Sequence, residues 1–163
     1  ALSLIADTPE YLDLLKQRNQ TFPGKTVITP HPGEAAHLLN TAADTIQANR
    51  LSALSQLIAL TNSIVVLKGQ HTLIASPAHS AVQCAQGNPG MAVGGMGDVL
   101  TGSIAAIAAQ GIRHNLNPWE ASCVGVQLHA SAADSLVEKQ IGPIGLTPTE
   151  VILEMRSLLN KLL

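Results

Sequence analysis

The sequence predicts an α/β fold in which helices cover both faces of a parallel or mixed sheet. Three observations predict it. Short apolar runs, KTVIT (25–29) and SIVVLKG (63–69), alternate with longer stretches of helical period. These runs are apolar along most of their length instead of alternating, the pattern of strands buried on both faces. A length of 163 residues, 46% hydrophobic and 12% charged with no charge-dense block, suits one compact domain, 1–163, without linker or repeat.

The elements follow in order. TPEYLDLLKQRNQ (8–20) reads as a helix: Thr8 can cap, Pro9 suits the first helical position, and Tyr11, Leu12, Leu14 and Leu15 form an apolar stripe. KTVIT is a short buried strand ended by Pro30. A brief helix, PGEAAHLLN (32–40), precedes a longer one over 44–61, with Ile46, Leu51, Leu54, Leu57 and Ile58 at helical spacing. SIVVLKG is stopped by Gly69, and TLIAS (72–76) and AVQCA (81–85) form a hairpin pair around Pro77 to His79. Three helices close the chain. DVLTGSIAAIAAQ (98–110) sets Leu100, Ile104 and Ile107 on one side among small residues, as suits a helix lying close to a sheet. The helix of 117–140 begins with Asn117 as cap and Pro118 in its first turn, and that of 147–163 opens with Thr147 and Glu150 at capping-box spacing.

Composition excludes several partners. A net charge of -2 and only three aromatics, Tyr11, Phe22 and Trp119, offer neither a basic footprint for a phosphate backbone nor a base-stacking platform. Nucleic acid is not an expected partner. No apolar run approaches the roughly 18 residues of a spanning helix, and no signal peptide is recognisable, so a membrane is not expected either. Cys84 and Cys123 stand far apart in apolar or small-residue surroundings, as reduced packing residues of a cytoplasmic chain do.

Residues 87–111, GNPGMAVGGMGDVLTGSIAAIAAQG, hold seven glycines in 25 positions. Glycine lets a ligand approach the main chain, so Gly90, Gly94, Gly95 and Gly97 ahead of an apolar helix can form a nest of N–H donors. The helix N-terminus adds roughly half a positive charge. The expected ligand is an anion, phosphate above all. Asp98 has two readings. An acidic residue in a first turn stabilises the helix by about 0.3 to 1 kcal/mol. A carboxylate beside phosphate-binding amides is also placed to take a proton from a hydroxyl that attacks a phosphoryl group. The segment is neither GxxxxGK[ST] nor GxGxxG, so P-loop and Rossmann signatures are absent. In open α/β sheets ligands bind beyond the carboxyl ends of strands, where LKG, TPHPGE and the glycine segment all fall. His37, His79, His114 and His129 show no metal spacing, and Asp134, five residues after His129, is poorly placed to share its helical face.

TPHPGEAAHLL, VVLKGQHTLIA and the glycine segment occur in this order at domain-scale separation. Together they resemble the ribokinase-like fold, a three-layer α/β/α arrangement with a mainly parallel sheet. More closely, they resemble the NAD(P)H-hydrate dehydratase family, the domain often fused behind an NAD(P)H-hydrate epimerase. GVQLHASAADSLVE is similar to the family's helix after the glycine motif, so the resemblance covers nearly the whole chain from about residue 25. It implies a lyase of metabolite repair. A phosphoryl group from ADP or ATP, with Mg2+ present, passes to the hydroxyl of hydrated NADH or NADPH, and loss of phosphate restores the reduced cofactor.

The resemblance also implies roles. Asp98 contacts the hydrate and acts as base, and Gly97 belongs to the nucleotide site. Lys68, Gly69, Gln70, His71 and Thr72 match the KGxxT pattern that binds the AMP portion, and His31 matches the residue that contacts the hydrated dinucleotide. Glu34 aligns with the glutamate that kinases of this fold use, through water, to organise Mg2+ and phosphate; Gly94 and Gly95 join it, and no residue is expected to ligate metal directly. Outside the motifs the same residues read more plainly: Lys68 as a strand terminus, His31 as a surface turn, Glu34 as an ordinary first helical turn. The kinases carry Asn where this chain has His31, which points to the dehydratase. A small-metabolite kinase of hydroxymethylpyrimidine or hydroxyethylthiazole type, and a nucleotide-binding fragment without turnover, stay open as alternatives. The opening ALSLIAD resembles the middle of the family's DADAL segment without its acidic residues. The chain is therefore expected to be the C-terminal portion of such a domain, with an uncovered strand edge that favours a homo-oligomer or association with the missing N-terminal segment.

Overall fold

Four strands, β1 (Val27–Ile28), β2 (Ile64–Leu67), β3 (Leu73–Ser76) and β4 (His79–Gln83), lie in that order across one sheet in this computed structural model, which describes residues 1–161. The chain divides into two compact units, one ending at Gln83 and the other beginning at Cys84. The sheet belongs to the first. β1 and β2 run parallel with Val27 opposite Ile64, whereas β2–β3 and β3–β4 are antiparallel. Over the described residues the sheet is thus mixed, not mainly parallel, and the connections give the reason. Three helices join β1 to β2, length enough for a crossover, while residues 68–72 and the pair Pro77–Ala78 permit only a reversal. β2 and β3 are buried at every position, as their unbroken apolar runs predict, and β4 is exposed at four of its five.

β1 is shorter than KTVIT because Pro30 has no N–H to give, yet the pairing continues on either side. The Ile64 amide donates to the Thr26 carbonyl and the Lys68 amide to the Pro30 carbonyl, both at 2.9 Å. The second bond holds the start of TPHPGE against the end of β2.

Five helices accompany the sheet: α1 (Leu2–Asp7), α2 (Pro9–Thr21), α3 (Pro32–Leu38), α4 (Ala43–Ala48) and α5 (Arg50–Thr61). α1 carries no capping side chain; Leu2, Ile5 and Ala6 pack on the core, and Asp7 Oδ1 lies 2.8 Å from His37 Nε2 on α3. Thr8 has the extended backbone of an N-cap but makes no side-chain cap bond, so Pro9 alone sets the first turn of α2. The single helix expected over 44–61 is two, because Asn49 leaves helical geometry and its Oδ1 accepts the Ser52 amide at 3.1 Å. Leu54 and Leu57 of α5 pack with Val65, Leu67 and Ala75 of the sheet. Asn19 of α2, only 1% exposed, donates to the Thr61 carbonyl at 2.7 Å and to Ser63 Oγ at 2.9 Å, which satisfies a buried amide and ties α2 to the start of β2.

The second unit is helical: a 3-10 turn (Pro89–Met91), α6 (Met96–Gly111), α7 (Pro118–Glu138) and α8 (Pro148–Asn160). Both predicted caps form. Asn117 Oδ1 accepts the Glu120 amide at 2.9 Å and Thr147 Oγ1 the Glu150 amide at 3.3 Å, with each glutamate returning the bond to its cap residue at 2.8 Å. Met96, Ala133, Leu136, Leu146, Val151 and Met155 form the core. α6 and α7 approach closely at Gly125, where a Cβ would lie 2.7 Å from Ile104 Cγ1. Glu154 of α8, 6% exposed, accepts from Ser135 Oγ at 2.8 Å and Lys139 Nζ at 2.5 Å on the α7 side. Both cysteines are free thiols, and burial, with Glu120 nearby, pushes the Cys123 thiol up, against thiolate chemistry. No helix among the described residues is long and apolar enough to cross a membrane.

Candidate functional site

In the first unit the end of β2 and the start of α3 bring three predicted residues together. His31 is the N-cap of α3: its Nδ1 accepts from the Gly33 amide at 3.1 Å and the Glu34 amide at 3.3 Å, while Glu34 Oε2 accepts the His31 amide at 2.8 Å. With Nδ1 accepting, a neutral ring carries its proton on Nε2, which lies 3.5 Å from Glu34 Oε2. Lys68 Nζ stands 3.8 Å from the same oxygen, with its side chain 23% exposed. The plain reading of Glu34 as a first-turn residue is thus physically realised, and the carboxylate still pairs with the lysine.

Residues 69–72 turn the chain from β2 into β3. Gly69 has φ +138° and His71 φ +56°, and Thr72 Oγ1 donates to the Gly69 carbonyl at 3.1 Å. Arg50, the first residue of α5, staples this turn. Its guanidinium donates to the carbonyls of Leu67 at 3.0 Å, Lys68 at 3.3 Å and His71 at 3.5 Å, and to Gln47 Oε1 at 3.0 Å. Burial lowers its pKa from the ordinary arginine value. A Cβ on Gly69 would lie 2.5 Å from Arg50 Nη1 and would displace the guanidinium, while the φ of +138° is what calls for glycine. Sequence reasoning counts Arg50 only as one residue of a helical run. Its partners are main-chain carbonyls 17 to 21 positions away, which no side-chain pattern reveals.

In the second unit Gly95 takes a left-handed conformation, φ 85° and ψ -17°, as N-cap of α6. The amides of Asp98 and Val99 both return to the Gly95 carbonyl at 3.1 Å. Those of Gly94, Gly95 and Gly97 make no hydrogen bond among the described residues, as the first N–H groups of a helix do not. Asp98 is exposed in the first turn, and its carboxylate accepts no hydrogen bond among the described residues. A helix terminus of this kind attracts anions, and the carboxylate beside it is available as a base.

The predicted residues therefore fall into two groups: His31, Glu34, Lys68, Gly69, Gln70, His71 and Thr72 in one unit, and Gly94, Gly95, Gly97 and Asp98 in the other. Two grooves lie elsewhere, about 400 Å3 beside Ile58 and Asn62 and about 270 Å3 beside Ile107 and Met155, and neither is lined by a predicted residue. Among the described residues no group of three or more His, Cys, Asp or Glu could hold a metal ion.

Comparison with known proteins adds an independent line. A family model described as NAD(P)H-hydrate dehydratase matches residues 2–156. The chain is 45% identical over 142 residues to the bifunctional NAD(P)H-hydrate repair enzyme Nnr of Vibrio cholerae, covering 87% of this chain and 28% of that protein. It is 40% identical over 136 residues to the ADP-dependent (S)-NAD(P)H-hydrate dehydratase of Neisseria meningitidis, covering 83% and 45%. Its fold matches the crystal structure of the ADP/ATP-dependent NAD(P)H-hydrate dehydratase of Bacillus subtilis, co-crystallized with ATP/Mg2+, at a TM-score of 0.76 and 27% identity over 83% of this chain and 47% of that one. The chain thus spans less than half the length of each of these relatives.

Proposed function

The chain belongs to the NAD(P)H-hydrate dehydratase family, and from that premise we propose that it serves the nucleotide-dependent dehydration of hydrated NADH or NADPH. The observation that carries this reading is the open N-terminus of α6, with unbonded glycine amides and the exposed Asp98 carboxylate in one turn. The amides of Gly94, Gly95 and Gly97 in the second unit are suited to a phosphoryl group, and the Arg50-stapled turn of Lys68 to Thr72 in the first matches the family's AMP-binding pattern. The family pattern assigns His31 a contact with the dinucleotide, and with Nδ1 taken by the Gly33 and Glu34 amides, Nε2 is the side left for it.

In this reading Asp98 takes the proton of the hydrate hydroxyl as its oxygen attacks the terminal phosphorus, and the bridging P–O bond breaks to release AMP from ADP. The C–O bond then breaks with its electron pair leaving on phosphate. The adjacent ring carbon passes its proton to the departing phosphate, and the electron pair of that C–H bond restores the ring double bond. Hydroxide is a poor leaving group and phosphate a good one, which is why a repair reaction would consume a nucleotide. ADP is the proposed donor, following the ADP-dependent Neisseria relative, with ATP the alternative. Mg2+ would arrive on the phosphates and neutralise their charge, since one carboxylate, Glu34, already paired with Lys68, suits a water-mediated contact and not a resident metal site. A cytoplasmic location and self-association through the exposed β4 edge belong to the same proposal; cell fractionation and light scattering test them.

The reaction is tested by mixing the protein with hydrated NADH, Mg2+ and ADP or ATP while reading both nicotinamide absorbance and inorganic phosphate. Asp98→Asn keeps the amides and removes the base: ADP affinity is expected to hold within about threefold while turnover falls by about 10²–10⁴-fold. Turnover that survives this substitution overturns Asp98 as the base.

A further inference from the structure

Asp134 of α7 uses both carboxylate oxygens on the glycine segment. Oδ2 accepts the Gly87 amide at 2.8 Å and Oδ1 accepts Asn88 Nδ2 at 3.0 Å. Asn88 passes the restraint on, its Oδ1 accepting the Gly90 amide at 3.1 Å and capping the 3-10 turn of residues 89–91. Gly90 is confined from the other side too, since a Cβ there would lie 2.4 Å from the Pro143 carbonyl oxygen in the connection between α7 and α8. At the far end of the segment Met96 is 3% exposed, packed in the core against Ala132, Ala133 and Leu136 of α7. One helix therefore holds both flanks of a span whose middle, Ala92 to Gly95, is exposed. A short span with fixed ends has few conformations, so the bond at Asp134 acts on amides it does not touch.

We propose that Asp134 is a positioning residue for the anion-binding turn of α6: through Gly87 and Asn88 it sets the conformation in which the Gly94, Gly95 and Gly97 amides face a nucleotide phosphate. This rests on the nucleotide reading above. A carboxylate is required because all the groups facing it are donors. Asp134→Asn turns one donor against another, and Asn88→Asp sets two carboxylates together. The double exchange re-forms all three hydrogen bonds, with the amide now at position 134 and the carboxylate at 88.

The experiment compares the unaltered chain, the two single variants and the double by ADP titration calorimetry, by thermal midpoint and by hydrogen exchange of residues 92–98. Each single variant is expected to weaken ADP binding by about tenfold or more and to speed exchange of the glycine amides, whereas the double returns both to within about threefold. Single variants that lower the melting temperature while leaving ADP affinity and exchange unchanged assign Asp134 to stability alone and overturn the proposal. So does a double variant in which the two losses add. If the unaltered chain binds no ADP, the nucleotide reading fails, and the exchange measurement still decides whether Asp134 orders the turn.

Discussion

A single methyl group at position 69 would collide with Arg50 Nη1, and that crowding shows how the KGQHT turn is made. The guanidinium fork reaches three carbonyls that a lone ammonium cannot serve at once. Arg50→Lys is therefore expected to behave nearly as badly as Arg50→Ala, each costing about 1–3 kcal/mol in urea denaturation from carbonyls left unpaired, and to weaken ADP binding with it. Legibility in the sequence divides along the same line. Lys68, Gly69 and Thr72 could be read because a motif names their side chains. Arg50 could not, because its bonds to the turn go to main chain. His31 and Glu34 stood in a motif, but their capping box and the approach of Glu34 to Lys68 appear only in the structure.

Elements were legible where a local signal marks their ends. Asn117 and Thr147 announce α7 and α8 by cap chemistry, and both boxes form. Where the signal is tertiary the sequence is silent. α1 has no cap and is held by packing and the Asp7–His37 pair, and the break at Asn49 is hidden inside a run whose apolar spacing continues through it. The meander from β2 to β4 follows from short connections: β3 and β4 form the expected hairpin, and the antiparallel β2–β3 pair is what departs from a mainly parallel sheet. The α6–α7 crossing yields a prediction of its own. Gly125→Ala forces a Cβ against the Ile104 side chain and, at 3.4 Å, its Cα, so the helices must part. The expected cost is about 1–3 kcal/mol in the midpoint of chemical denaturation, and Ile104→Ala should relieve part of it by making room.

For the molecule as a whole, acid is the predicted weakness. Burial lowers the His129 pKa from 6.5 to about 4, the Met96 backbone bond opposing it only in part. Between those values the unfolded chain binds a proton that the folded chain refuses, so stability falls as pH drops from 6.5 towards 4, by about 3 kcal/mol if His129 acted alone. Glu154 adds to this in the same direction. Hydrogen bonding from Lys139, and then from Ser135, holds its carboxyl below 4.5 against burial, a contribution present above that value and lost below it. Melting temperatures taken from pH 7 down to 4 should decline, and His129→Phe should flatten the upper part of that slope. A slope that His129→Phe leaves unchanged removes His129 from the account. The order of the three motifs made the family legible, because they recur as a set; the division after Gln83 was not, since no linker composition marks it. Gly95 carries a last consequence. A peptide N–H is common to every residue type, so a grip built from the backbone leaves its side chains unspecified. Ala92 and Val93 are exposed, and a Cβ on Gly94 would meet open space, while Gly95 alone of the four has a left-handed backbone. Descendants of this chain are thus free to redecorate the surface of the turn, in size, charge or polarity, and stay bound by heredity at one letter.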